Sequence, residues 1–256
     1  MALNPRVPRW RGQRVWVIGA SYGIGAALAR RLINEGARVA MSARSRDLLD
    51  AIAKDNDARV EVLDVTDPAT VKAAAGSILA AWGGVDLVMI VAGTHVDMRA
   101  DTFDASRATR LFEINVIGVL HCLEAVLPTL LEQQRGGVAI VSSVAGYRGL
   151  PKSLIYGPTK AALINLAESL YIDLAPRGVG VYLINPGFVD TPLTQRNEFR
   201  MPALIPADEA ARLTLEGIAE GRFEIHFPKR FTNILRLLRT LPYPAYFAAV
   251  RRFTGA

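Results

Sequence analysis

Tyr156 and Lys160 stand four residues apart in a stretch of helical composition, so both side chains project from one face, about a turn from each other. A phenol with an ordinary pKa of about 10 is a poor acid or base at neutral pH. A neighbouring ammonium favours the phenolate and lowers that value, which suits the pair to exchange a proton with an oxygen being reduced or oxidised. Ser143 closes an apolar run 13 residues before Tyr156, at the kind of strand end where parallel sheets meet a ligand. A lone Tyr and Lys pair is common on solvated helix faces, so its weight comes from what precedes it. That is the run Gly19-Ala20-Ser21-Tyr22-Gly23-Ile24-Gly25 between an apolar strand pattern and a helical one. A helix N-terminus offers unpaired N–H groups, and glycines let a pyrophosphate approach them closely. The spacing G-x-x-x-G-x-G differs from the commoner G-x-G-x-x-G, and strand-turn-helix placement favours a nucleotide site over a ligand-free glycine turn.

Those groups need a scaffold, and apolar runs alternating with helical patterns from residue 14 to about 227 supply one. Strands are expected at 14–18, 38–42, 59–63, 87–91, 138–142, 180–184 and 223–227. Between them the pattern predicts helices at 24–34, 46–54, from Pro68, 104–131, 154–174 and 207–219, with Gly36 after the first in the place of a C-terminal glycine. The expected fold is α/β: one doubly wound, Rossmann-like parallel sheet of about seven strands with helices on both faces, spanning 1–256 as a single domain with an extension over 228–256. Residues 191–206 lack a period and are expected to form a long mobile loop of the lid or binding kind. In such a fold an acid at the end of the second strand holds a ribose 2′-hydroxyl, whereas a basic group accommodates a 2′-phosphate. Here that strand ends Met41-Ser42-Ala43-Arg44, with no acid, so Arg44 points to NADP(H) over NAD(H).

Composition narrows the classes. The 256 residues are 51% hydrophobic and 21% charged, an ordinary globular balance that excludes disordered and fibrous architectures. Net charge is +6, but residues 15–225 are −4 and the basic excess lies in the first 14 and last 31 residues, so no nucleic-acid surface is expected. One cysteine, Cys122, and three dispersed histidines offer no disulfide framework or metal-ligand spacing, so no metal is expected, and a reducing cytoplasmic setting is. No uninterrupted apolar stretch has the length of a membrane span, and no signal-peptide pattern opens the chain.

Taken together, these residues resemble the short-chain dehydrogenase/reductase family, in the single-domain branch with T-G-x-x-x-G-x-G and Y-x-x-x-K motifs, over roughly residues 12–225. The resemblance places Gly19, Gly23 and Gly25 on the motif glycines, with Ser21, Tyr22 and Ile24 beside them at the cofactor. It implies that Asp64 and Val65 lie by the adenine, and that Ala92 and Gly93 fall where the family reads N-N-A-G. Pro186, Gly187, Val189 and Thr191 would run along the nicotinamide. It assigns Ser143 to the substrate oxygen, Tyr156 to proton transfer, and Lys160 to the nicotinamide ribose and to lowering the Tyr156 pKa. Asn115 would hold a water that links Lys160 to solvent. Ile18 replaces the usual Thr, and Ile90-Val91 replace both amides, removing polar ties between the fourth strand and its neighbours.

The implied activity is NADP(H)-dependent hydride transfer to or from a carbonyl or secondary alcohol, by a homo-oligomer acting on a small molecule. Reduction of 3-oxoacyl chains is an alternative, as is a catalytically idle nucleotide-binding protein, against which the complete Asn115, Ser143, Tyr156 and Lys160 set argues. The 228–256 segment mixes six basic groups with many aromatic and aliphatic ones and has two prolines, Pro242 and Pro244, that should split it into two short helices. Packing of that segment on the body or on a second subunit is the favoured expectation. The other reading is a basic amphipathic hairpin on the inner face of a membrane, serving a hydrophobic or lipid-like substrate together with Phe188.

Overall fold

Strands buried on both faces must be apolar at nearly every position, and in the computed structural model the strands with that pattern form the centre of the sheet. The structure describes residues 2–54, 56–196 and 201–254. The strands are β1 (Arg14–Ile18), β2 (Arg38–Ala43), β3 (Arg59–Val62), β4 (Leu87–Ile90), β5 (Gly137–Val141), β6 (Gly180–Pro186), β7 (Val189–Asp190), β8 (Ile205–Pro206) and β9 (Glu224–Phe227). Seven of them make one parallel sheet in the order β3-β2-β1-β4-β5-β6-β9. The direction of winding reverses between β1 and β4, so a crevice opens there at the carboxyl ends of the strands.

Helices cover both faces: α1 (Gly23–Asn34), α2 (Arg46–Ala53), α3 (Pro68–Trp82), α4 (Ala105–Phe112), α5 (Gly118–Gln133), α6 (Tyr156–Leu174) and α7 (Ala207–Ala219). Alternation along β1 sends Val15 and Val17 to the core with Leu28, Leu32 and Leu215, and Trp16 and Ile18 to the core with Ile78, Val126 and Leu163. Asp67 accepts a hydrogen bond from the Ala69 amide and Pro68 follows at the first helical position, which starts α3 where the sequence placed it.

Three expectations change. The single helix expected over 104–131 is α4 and α5 joined by a π-helical turn, Glu113–Ile117, that inserts a residue into the helical ladder at Asn115. The segment after Thr191 is not without structure: β7 pairs with β8, and a short 3₁₀ turn covers Thr194–Arg196. Residues 197–200 of that expected loop lie outside the described residues. The helical run Ala105–Gln133 is long and apolar enough to cross a membrane by length and composition. In this fold its apolar residues serve the core instead, with Val119, Cys122, Leu123, Val126 and Leu130 buried against the sheet.

The C-terminal segment splits at Pro242 as expected, into α8 (Lys229–Leu238) and α9 (Tyr243–Thr254). Its inner side packs on the body. Arg148 donates from Nη1 to the carbonyls of Leu238, Arg239 and Leu241, and its guanidinium lies 4.7 Å and 4.1 Å from the ring centres of Tyr243 and Tyr246. The Tyr246 hydroxyl donates to the Gly149 carbonyl at 2.6 Å.

At the amino end of the sheet, Arg14 donates from Nε and Nη2 to both oxygens of Asp86, and the Arg14 amide adds a third bond, at distances of 3.1, 2.7 and 2.9 Å. This clamp ties the start of β1 to the start of β4, the two strands that flank the crevice. Burial would raise the Asp86 carboxyl, but the Arg14 hydrogen bonds and charge outweigh it and hold the group below the usual carboxylate range. Asp86→Ala is expected to cost roughly 1.5–3 kcal/mol in urea unfolding at pH 7. Because the folded pKa is depressed, the advantage of the native residue is fully present above the unfolded value near 4 and fades as pH falls through the folded one. A wild-type-to-variant gap that stays constant down to pH 2 would contradict this.

Candidate active site

The crevice, about 350 Å³, runs from the glycine turn at the end of β1, past the ends of β2 and β3, to the carboxyl ends of β5 and β6. Its floor depends on glycine. Gly19 has φ +92°, and a Cβ there would sit 2.5 Å from the Ala92 amide nitrogen. A Cβ on Gly25 would run into the Gly19 carbonyl oxygen. Helix α1 therefore begins hard against the strand end, and its first turn has no side-chain cap and no acidic residue. Open amides at a positive helix end suit an anion such as a pyrophosphate, so the residues present fit a dinucleotide.

The replacements at Ile18, Ile90 and Val91 leave this junction intact, because backbone groups hold it. Both the Val91 and Ala92 amides donate to the Ile18 carbonyl, at 2.8 and 3.0 Å, and the Gly19 and Ala20 amides donate to Ser42. Ile18 and Ile90 fill the core where polar side chains would have needed partners.

At one end of the crevice lie Arg44, Asp64 and Val65. Burial alone would raise the Asp64 carboxyl, but hydrogen bonds from the Thr66 amide and hydroxyl and the charges of Arg44 and Arg110 hold it low. Arg44 is exposed at the rim, beside Ser45, whose hydroxyl makes no capping bond to α2.

At the other end, Ser143 follows β5 while Tyr156 and Lys160 share the first turns of α6. The Ser143 hydroxyl donates to the Pro186 carbonyl at 3.4 Å and accepts from the Ala145 amide at 3.1 Å, close enough to the Tyr156 hydroxyl to bear on its pKa. Lys160 is buried, its Nζ donating to the Val141 carbonyl at 3.0 Å and lying 5.7 Å from the Tyr156 ring centre. Burial pulls the Lys160 ammonium down to about 8. It pushes the Tyr156 hydroxyl up, with the Ser143 hydrogen bond opposing. The expected lowering of the Tyr156 pKa by Lys160 does not occur in the chain alone: desolvation of the phenolate sets the direction, and the group that opposes it is Ser143. At neutral pH Tyr156 is a neutral donor, the state that protonation of an oxyanion needs.

The crevice collects every expected site residue except Asn115, which lies behind its wall. The Asn115 side chain is fully buried, accepting from the Thr94 amide at 2.8 Å and donating to the Thr94 carbonyl at 2.9 Å and the Thr159 hydroxyl at 3.1 Å. It braces the end of β4 against the first turn of α6, and the π turn aims it there. Sequence reasoning missed His95, which packs edge-on against Tyr156 with ring centres 4.6 Å apart. Burial keeps that imidazole below its ordinary pKa, with Asp97 3.4 Å away opposing. Its only signal was its place two residues beyond Gly93, where the chain leaves β4.

Comparison with known proteins gives the family and the fold. The family described as "short chain dehydrogenase" matches residues 13–201. An "uncharacterized oxidoreductase" of Myxococcus xanthus is 38% identical over 242 residues, covering 92% of this chain and 95% of that protein. Among solved structures, a short-chain dehydrogenase/reductase from Burkholderia phymatum in complex with NAD superposes with a TM-score of 0.82 at 27% identity, covering 90% of this chain and 93% of that one. A protein from Brucella melitensis named as a ribose-5-phosphate isomerase does so with a TM-score of 0.80 at 26% identity, over 86% and 92% of the two chains. One fold thus appears under two activity names, so the chemistry has to be argued from the site.

A buried ammonium is a cost to folding. The unfolded chain binds the Lys160 proton up to about pH 10.5 and the folded chain only to about 8, so stability rises with pH across that window. Lys160→Met is therefore expected to be more stable than the wild type below pH 8, by about 1–3 kcal/mol in urea unfolding. The gap should narrow toward pH 10.5, while turnover is lost. A variant less stable than wild type at pH 7 would show that the hydrogen bond to Val141 outweighs desolvation.

Proposed function

The chain belongs to the short-chain dehydrogenase/reductase family, and we propose that it is an NADP(H)-dependent oxidoreductase of apolar carbonyls and secondary alcohols. The observation that carries the reading is the convergence of Ser143, Tyr156 and Lys160 at one end of a crevice whose other parts are a glycine turn and an uncapped helix N-terminus. A ketone, NADPH and a proton yield the alcohol and NADP⁺. The dinucleotide, when bound, supplies the hydride to the carbonyl carbon. The α1 amides and the glycine turn hold its pyrophosphate, Asp64 and Val65 flank the adenine, and the segment Pro186 to Thr191 flanks the nicotinamide. Ser143 hydrogen-bonds the carbonyl oxygen and Tyr156 delivers its proton there. Lys160 binds the ribose and favours the phenolate that this leaves. Asn115 acts as a positioning residue, keeping Thr94 and α6 in register.

The preference for NADP(H) rests on the rim of the crevice. Arg44 and Ser45, whose hydroxyl does not cap α2, both line the crevice where β2 ends without an acid, a pairing that suits a 2′-phosphate. An apolar substrate is favoured by Phe188 and Phe231, whose rings lie 5.4 Å apart, and by Leu193 in the crevice lining. Self-association is favoured by Phe112, Ile117 and Leu120 on α4, the π turn and α5, large apolar groups that the fold leaves exposed.

Initial rates on a panel of ketones and 3-oxoacyl thioesters, with NADPH and NADH side by side, test the reading. NADPH is expected to be preferred by about tenfold or more, and Arg44→Ala to remove about 10–100-fold of kcat/KM for NADPH while leaving NADH nearly unchanged. Tyr156→Phe should lower kcat by a factor of about 10² or more without loss of NADPH binding. A clear preference for NADH overturns the role of Arg44, and full turnover by Tyr156→Phe overturns the mechanism.

A further inference from the structure

The two C-terminal helices have unlike faces. On the inner side, Thr232 and Tyr246 are buried, Arg148 fastens the turn between the helices, and Phe231 packs on Phe188 beside the crevice. On the outer side, Ile234 and Leu237 share one face of α8, while Phe247 shares one face of α9 with Tyr243, whose ring meets Arg148 on its inner side and is otherwise open; the two rings are stacked 5.7 Å apart. All four are more than half exposed, Leu237 and Tyr243 by 68% each, and Phe253 follows at 76%. The same helices carry Lys229, Arg230, Arg236, Arg239, Arg251 and Arg252, every one exposed, and no acidic residue. Some of that charge is used internally: Arg236 reaches Glu224 at 3.5 Å and donates to His226, and Lys229 hydrogen-bonds His226 at 3.1 Å. Arg230, Arg251 and Arg252 make no ion pair among the described residues.

Large apolar groups interspersed with unpaired cations match a layer of anionic headgroups over acyl chains, which supplies both complements at once. A second copy of the chain is a poorer match. A two-fold contact would set this face against itself and bring like charges together, and the apolar groups that favour self-association lie on the separate α4–α5 run. We propose that α8 and α9 rest on an anionic bilayer, with Ile234, Leu237, Tyr243 and Phe247 in the interface and Arg230, Arg251 and Arg252 at the lipid phosphates. Phe227, in register with Pro186 at the crevice, leads directly into α8, so the docked helices start from the substrate end of the site. That last consequence, delivery of a lipid-dissolved ketone, rests on the function proposed above, whereas the docking itself does not.

The test is co-sedimentation of the full chain with phosphatidylcholine vesicles containing about 30% phosphatidylglycerol, against phosphatidylcholine alone. Binding is expected only to the anionic vesicles and should weaken in about 0.5 M NaCl. The double variant Leu237→Glu/Phe247→Glu should lose about tenfold or more of the bound fraction, as should Arg251→Glu/Arg252→Glu. Both should keep wild-type NADPH binding, circular dichroism and turnover of a water-soluble ketone without vesicles, so failure of the docking is distinguishable from failure of the cofactor site. No binding to anionic vesicles, equal binding to both vesicle types, or binding unchanged in the variants overturns the proposal. Loss of a dimer in the variants, read by light scattering, would assign the face to a second copy and overturn it as well.

Discussion

The site depends first on a contact between two stretches of backbone. Gly19 at the end of β1 lies so close to Ala92 at the end of β4 that a single added carbon would collide with the Ala92 amide. This closeness lets α1 start directly over the strand end and brings its open amides to the crevice. It also joins the two strands between which the sheet changes its direction of winding. The amide bonds from Val91 and Ala92 to Ile18 hold the junction from the crevice end, and the Arg14–Asp86 clamp holds the same two strands from the other. With both ends pinned by backbone and ion-pair geometry, the side chains between them are free to be apolar, which is why Ile18 and Ile90 serve where polar residues are usual.

The proton-transferring end has a different logic. Lys160 and Tyr156 are both desolvated, so each is driven toward its neutral form: the ammonium pKa falls to about 8 and the phenol pKa rises. Such an arrangement stabilises no charge in the resting chain and leaves the stabilisation of a developing oxyanion to the moment of reaction. His95 packs edge-on against the phenol, and the Asn115 brace holds the first turn of the helix that carries it. The destabilising burial of Lys160 is the sort of local conflict that a stable fold tolerates where it serves chemistry.

The C-terminal helices extend the same scaffold rather than forming an independent unit. Arg148 comes just after the short turn that follows Ser143, Glu224 begins the last strand, and both bind groups of the tail. Tyr147 and Asn185 meet at the same Glu224 carboxylate, which links the Ser143 loop, the end of β6 and α8 through one partly buried acid. The C-terminal share of the basic excess is therefore carried on helices tied to the body and is not a property of the molecule at large.

Much of this was legible in the residues themselves. Strand and helix order, the glycine turn, the Tyr and Lys on one helical face, the basic end of the second strand and the two tail helices all follow from local rules: apolar period, glycine conformational freedom and proline geometry act over a few residues, and a sequence displays them directly. What lay beyond reach depended on groups distant in the chain. The π turn carries Asn115, whose side chain joins Thr94 and Thr159, 21 and 44 residues away in the chain. The pairing of β7 with β8 is decided by where the chain returns after the crevice, and the placing of His95 against Tyr156 by the packing of two loops. The raised phenol and lowered ammonium are likewise tertiary facts. The sequence shows that two groups are neighbours, but only the packed structure determines how much water each has lost, and here that loss sets the direction of both shifts.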